Sequence, residues 1–436
     1  MYKRWSRIFA LSLGIPLMLA LLAACGAGTG TGTQSTVTIE IGSEFPTSQA
    51  DASSGKPAEN GIRYAIDKAN KDNFLPGYKF VVNAKDDVGA NGTHDPNVGA
   101  NNISQLSGDA QVAAIVGPLN SSVAKSEMPV ANKAGIALIS PANTNDCLTQ
   151  ETPASECGGA NSVIASLRPT GNVTYFRTAT LDEFQGKALA KFAYKEKSYK
   201  TAYVIDDTET YGAGLAANFI NFFEGFGGKV IDKKSIANTS SYENVLTAVA
   251  SAKPDVLFFG GNDSTGGTTI RQQMANVPGL QKLPFLAGDG NKTPAFAKAL
   301  ANKGGGEVYN TIPGTDPSTV PASTDFNTNF QKSYGQIGAY SAGAYDDAEI
   351  VLNAIKTVIT TEKVLPPNNP NDSATAKTFR QKVIDAMKKT DYSGLTGHHA
   401  FDKNGDTTNL SISLYTLGDP NVGDGWKYLE AVNPNA

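Results

Sequence analysis

Residues 114–122 read AIVGPLNSS, and the way this stretch ends sets the reading of the whole chain. With Val112 and Ala113 it forms a short, unbroken apolar run, the mark of a strand buried on both faces. Gly117 and Pro118 stop the strand and turn the chain. Ser121 or Ser122 then caps a helix that runs to Ala134. The first backbone N–H groups of that helix face outward beyond the strand's carboxyl end. A helix N-terminus with a serine hydroxyl suits an anion such as a carboxylate. The serines also make sense as caps alone.

The same rhythm extends in both directions. VTIEI (37–41) is a strand, followed by Ile62, Ala65, Ile66 and Ala69 at the spacing of one helix face. YKFVVNAKDD (78–87) reads as strand then turn, and IALIS (136–140) as strand. TAYVIDD (201–207) leads to a helix near 214–226, DVLFFGG (255–261) to one near 265–275, and LPFLAGDG (283–290) follows. A long helix covers 339–361, with Ala348, Val351, Leu352, Ile355 and Ile359 on one face. Apolar strands alternating with amphipathic helices predict an α/β protein with doubly wound, Rossmann-like parallel sheets covered on both faces. At 436 residues the chain is long enough for two such lobes. Near the end, Asn404-Gly405 between strand-like runs signals a hairpin. Asp402 to Asp406 echo the start of a calcium loop, but Ser413 stands where its closing glutamate belongs. No metal is expected.

The net charge is only −4 and no Lys/Arg block runs along the chain, so a nucleic-acid partner is not expected. Lys3, Arg4 and Arg7 precede an apolar stretch from Ile8 to Ala24, which ends in Leu-Ala-Ala-Cys-Gly at 22–26. Small residues followed by cysteine resemble a bacterial lipoprotein cleavage box. The expectation is a signal over 1–24, a lipid on Cys25 and a flexible tether over 25–36. An uncleaved anchor or a plain secretory signal are the alternatives. Cys147 and Cys157 then remain, separated by a polar, turn-rich segment, and a local disulfide is expected outside the cytoplasm. His94, His398 and His399 are not near this pair in sequence, which disfavours a metal site.

Open parallel sheets bind ligands beyond the carboxyl ends of their strands. Those loops carry Asp51, Ser53 and Ser54; Asn120, Ser121 and Ser122; Ala142, Asn143 and Thr144; Thr208, Thr210 and Tyr211; Asn262 and Asp263; and Asp289. Hydroxyls, amides and carboxylates dominate, as in a hydrogen-bonding pocket rather than a reaction centre. Asp289 offers a negative charge to an ammonium, and with the anion site at Ser121 it would suit a zwitterion. Catalysis is not expected. GGNDSTGG (260–267) superficially spaces like a phosphate loop, but Gly267 replaces the essential lysine, and no G-x-S-x-G elbow occurs.

Eight stretches in order carry a resemblance: VGPLNSS (116–122), ALISPANT (137–144), YFRTATLDEFQGKALAKF (175–192), VIDDTETYGAGLA (204–216), PDVLFFGGN (254–262), FLAGDG (285–290), AYDDAEIVLNAI (344–355) and GHHAFDKNGD (397–406). They resemble the type I solute-binding proteins of ABC importers, in particular the branched-chain amino acid (Leu/Ile/Val-binding) family. The resemblance implies two lobes joined by three crossovers, 37–178 with 312–397 and 179–311 with 398–436, the first crossover lying within Arg177–Asp182. It implies a solute trapped between them, no cofactor, and permease subunits as partners. It places Ser121, Ala142 and Thr144 on the ligand carboxylate, Asp289 on the ammonium and Tyr211 as the closing residue. Asn262 stands where relatives specific for aliphatic amino acids often have an aromatic residue, and Asn143 adds an amide to the carboxylate loop. The first loop, 45–61, is more polar than in many relatives. A polar amino acid, an amide or a urea-like solute fits these departures. One fold also serves ligand sensors that signal to a membrane partner.

Overall fold

In the computed structural model, which describes residues 36–151, 163–301, 305–432 and 434, the first lobe is built on five parallel strands. These are β1 (Val37–Glu44), β2 (Tyr78–Lys85), β3 (Val112–Val116), β4 (Ala137–Ser140) and β5 (Tyr175–Arg177), arranged β2-β1-β3-β4-β5. Every residue of β3 and β4 is buried. Successive side chains point to opposite faces, so each strand feeds two cores. Ala114, Val116 and Ile139 join Ile39 and Ile41 against the helices Ala52–Lys71, Ser341–Thr360 and Ser373–Met387. Val112, Ile115 and Leu138 join Ile103 and Met128 against the helices Pro96–Gly108 and Ser121–Ala134. Each large aliphatic buried this way contributes roughly 1.5–3 kcal/mol before chain entropy is counted.

The second lobe repeats the plan. β6 (Thr201–Asp206), β7 (Lys229–Ser235), β8 (Val256–Gly260), β9 (Phe285–Ala287) and β10 (Val308–Pro313) are parallel, in the order β7-β6-β8-β9-β10. After a small hairpin, β11 (Tyr392–Gly394) with β12 (Gly397–His399), the strands β13 (Ile412–Leu417) and β14 (Trp426–Val432) extend this sheet antiparallel beyond β10. In both sheets the first strand lies between the second and the third. The crevice where the strand order reverses is where such sheets take ligands.

The chain passes between the two sheets three times: after β5, after β10 and after β12. Arg177, fully buried at the end of β5, pairs with Asp406 at 2.7 Å and donates to the Asn145 carbonyl at 2.8 Å. It thereby fastens the first and third passages to the loop after β4.

Two elements differ from expectation. The helix expected from 214 begins at Thr210, despite Gly212 and Gly214. Gly212 lies so close to β8 that a Cβ would stand 2.4 Å from the Gly260 carbonyl, so the glycine is there for helix–strand contact. The Asn404-Gly405 turn closes on a single bridge, Phe401 with Thr407, and the two-stranded hairpin forms a few residues earlier. Asp402 accepts backbone N–H groups of Asn404 and Asp406, and Asp406 pairs with Arg177, so these carboxylates serve the turn. The signal segment, Cys25, nearly all of the tether and Cys157 lie outside the described residues.

Candidate functional site

Gly117 ends β3 at φ 136°, in the region that favours glycine, and a Cβ there would stand 2.1 Å from the Glu44 carbonyl. The chain then passes through Pro118 and Leu119 to Asn120. Asn120, not a serine, is the N-cap residue, and no side chain caps this helix. Its Oδ1 is buried without a hydrogen-bond partner, and the residue is 5% exposed. Ser121 is the first helical residue, 2% exposed. The opening N–H groups of the helix are therefore left for something other than a serine cap.

The loop after β4 lies alongside. Ser140 donates through Oγ to the Pro118 carbonyl at 2.7 Å and accepts the Ala142 and Asn143 N–H groups. Asn143 was expected to offer its amide to a ligand. Instead its Nδ2 donates to the Leu119 carbonyl at 2.9 Å, and its Oδ1 accepts the Tyr175 hydroxyl at 2.9 Å. In this structure both ends of the amide brace the two loops. The Thr144 carbonyl accepts the Asp182 N–H at 2.8 Å, and its hydroxyl, near the Asp182 carboxyl, is buried without a hydrogen-bond partner. Cys147 is buried on the short turn that follows; its expected partner, Cys157, lies outside the described residues.

From the second lobe, Asp289 follows β9 and is 2% exposed. Gln185 Nε2 and the Tyr211 hydroxyl donate to its Oδ1 at 2.9 and 2.8 Å, and the Tyr340 hydroxyl donates to its Oδ2 at 2.8 Å. Burial raises the Asp289 pKa, and the three donors oppose that rise. A carboxylate has about four acceptor positions, so one remains. Asn262 follows β8, and its N–H donates to Thr265 Oγ1 at 2.9 Å in a capping box.

Ser121, Ala142, Tyr211, Asn262 and Asp289 thus share one cavity of about 10 Å³, together with Leu119, Asn120 and Tyr340. Asn143 and Thr144 do not line it. Tyr340 and Gln185 were not singled out from sequence. Neither follows a strand: Tyr340 immediately precedes the helix Ser341–Thr360, and Gln185 lies within the helix Asp182–Lys191. A polar residue beside a chain crossover was the available signal.

Two sheets of identical order, meeting across a buried polar cleft, define a two-lobed solute binder. The chain belongs to the periplasmic binding protein family, whose family model matches residues 38–419. This is a family of binding proteins, not of enzymes. The chain is 25% identical over 384 residues to the Leu/Ile/Val-binding protein BraC3 of Rhizobium johnstonii, covering 86% of this chain and 91% of that protein. It is 24% identical to the leucine-, isoleucine-, valine-, threonine- and alanine-binding protein of Pseudomonas aeruginosa, covering 87% and 89%. Among solved structures, a leucine-binding protein of Thermotoga maritima superposes with TM-score 0.71 at 22% identity, covering 91% of this chain and 99% of that one. A branched-chain amino acid transporter binding protein of Streptococcus pneumoniae, in complex with isoleucine, gives TM-score 0.69 at 22% identity over 90% and 98%.

Proposed function

We propose that this chain captures an amino acid between its two lobes, outside the cytoplasm, and delivers it to an ABC importer. The observation that carries this reading is the pairing across one cavity. The uncapped helix N-terminus at Asn120 and Ser121, with the Ala142 loop beside it, stands on one side, and Asp289 stands on the other. The first would take the carboxylate and the second the ammonium. The names of the relatives point the same way. A cavity of about 10 Å³ is the size of one water, so a solute enters only when the lobes part. Hinging at the three passages, with lobes 37–178 plus 312–397 and 179–311 plus 398–436, supplies that motion. In this reading Cys25 carries the lipid that holds the protein at the membrane, and Cys147 pairs with Cys157.

Calorimetric titration of the lipid-free protein with a panel of amino acids tests it. Asp289→Asn keeps the shape and removes the charge, and a loss of roughly 2–5 kcal/mol is expected for the preferred amino acid. Equal affinity in parent and variant would transfer the reading to a neutral solute.

A further inference from the structure

Beside the cavity just described lies a second one of about 10 Å³, sharing Leu119, Asn262 and Tyr340 as walls. Asp51, Ser53 and Ser54 of the first lobe face Asn262, Asp263 and Ser264 of the second across it. Among the described residues, no lysine or arginine lines it. A ligand held by its carboxylate at Ser121 and its ammonium at Asp289 has this neighbouring space beside it for its side chain, bordered by Ser53, which also lines the open groove.

The walls are poor in apolar surface and rich in acceptors. Asp263 is held by neutral donors alone, the hydroxyls of Thr268 and Thr293, the latter at 2.6 Å. Asp51 has His94 as its partner, through the His94 N–H at 2.9 Å and Nδ1 at 3.1 Å, both on Oδ2. Asp207 and Glu209 act on the same histidine from the second lobe. Three carboxylates, Asp51, Asp207 and Glu209, therefore act on one imidazole. Burial first, and then the Asp51 charge among other causes, pushes the Asp263 pKa up, the response of a carboxylate that lacks a cation. A branched aliphatic side chain would desolvate these carboxylates without bringing them a counter-charge. A side chain ending in a cation would answer them.

We propose that the second cavity is a specificity subsite for a basic side chain, so that the bound amino acid is lysine, ornithine or arginine. This rests on the amino-acid reading above. The test is titration of the lipid-free protein with lysine, arginine, norleucine, glutamine and leucine. Norleucine matches the lysine chain without its charge. Lysine or arginine binding at least tenfold tighter than glutamine, and a hundredfold tighter than norleucine, is the expected result. In Asp263→Asn, and separately in Asp51→Asn, the ratio of lysine to glutamine affinity should fall tenfold or more. Leucine or norleucine binding tighter than both basic amino acids overturns the subsite and leaves the amino-acid reading standing. Glutamine equal to lysine overturns the charge requirement. Failure of the whole panel to bind or to raise Tm overturns both readings together.

Discussion

Tyr340→Phe removes one hydroxyl and keeps the ring. Tyr340 packs in the first lobe's core with Ala344 and Ala348, while Asp289 belongs to the second sheet, so their 2.8 Å bond spans the cleft. Tyr211 donates to the same carboxylate but lies in the helix Thr210–Gly225, in the core of Asp289's own lobe. A hydrogen bond to a charged acceptor contributes roughly 1.5–3 kcal/mol. Tyr340→Phe should cost this only in the closed form, because the bond does not exist when the lobes part. At about 1.4 kcal/mol per tenfold, closure and ligand affinity should both fall roughly ten- to hundredfold. Tyr211→Phe loses its bond in both forms and should shift closure much less. Calorimetric titration gives the affinities, and small-angle scattering of the ligand-free variants gives the open fraction. Parent-like affinity and scattering for Tyr340→Phe would refute the cross-cleft latch, as would a larger closure effect from Tyr211→Phe.

A second prediction concerns pH. Glu44, Asp87 and Glu127 are fully buried together, and Asn102 donates to Glu44 at 3.0 Å. Burial, most of all, pushes Glu44 up to about 7, and burial with the neighbouring charges puts Asp87 and Glu127 well above the usual range. Raised carboxyls bind protons in the fold that the unfolded chain has released, so their cost appears as pH rises through roughly 4.5 to 7. Glu127→Gln should therefore raise Tm at pH 8, by something on the order of 1–3 kcal/mol in stability, and change it little at pH 5. An equal shift at both pH values would count against it. Burial lowers His399 to about 4, an opposing trend that cancels in the comparison of variant with parent. Third, Asn143→Ala should lower Tm even without ligand, since two buried bonds are lost; unchanged Tm with weakened binding would return Asn143 to the ligand. Fourth, Gly117→Ala should destabilise by several kcal/mol or fail to fold, given φ 136° and the 2.1 Å approach to Glu44; a parent-like melt would contradict the turn geometry.

Strands β1, β3, β4, β6, β8 and β9 were legible because they are short apolar runs ending in Gly, Asn, Ser or Asp, whereas β5 and β10 were not read from the sequence. β7, with Lys229, Lys233 and Lys234, was not: it is an edge strand, and lysine there blocks pairing with other chains while hiding the strand pattern. At the site, residues that directly follow strands were legible, among them Ser121, Asn262 and Asp289. The division of labour within a loop was not. Asn120, Ser121, Asn143 and Thr144 are alike in chemistry, and only the fold determines which polar ends turn inward to brace backbone. Tyr340 was hidden for another reason: it arrives through a crossover, far along the chain from the end of β8 at Gly260, and no local periodicity announces it.

The most direct test of the account is a crystal structure of the protein with the solute that co-purifies with it. The account predicts electron density in the cleft, with a carboxylate at the Asn120–Ser121 helix end and a nitrogen about 3 Å from Asp289. Density for a solute lacking either group, or bound away from Ser121 and Asp289, would contradict it.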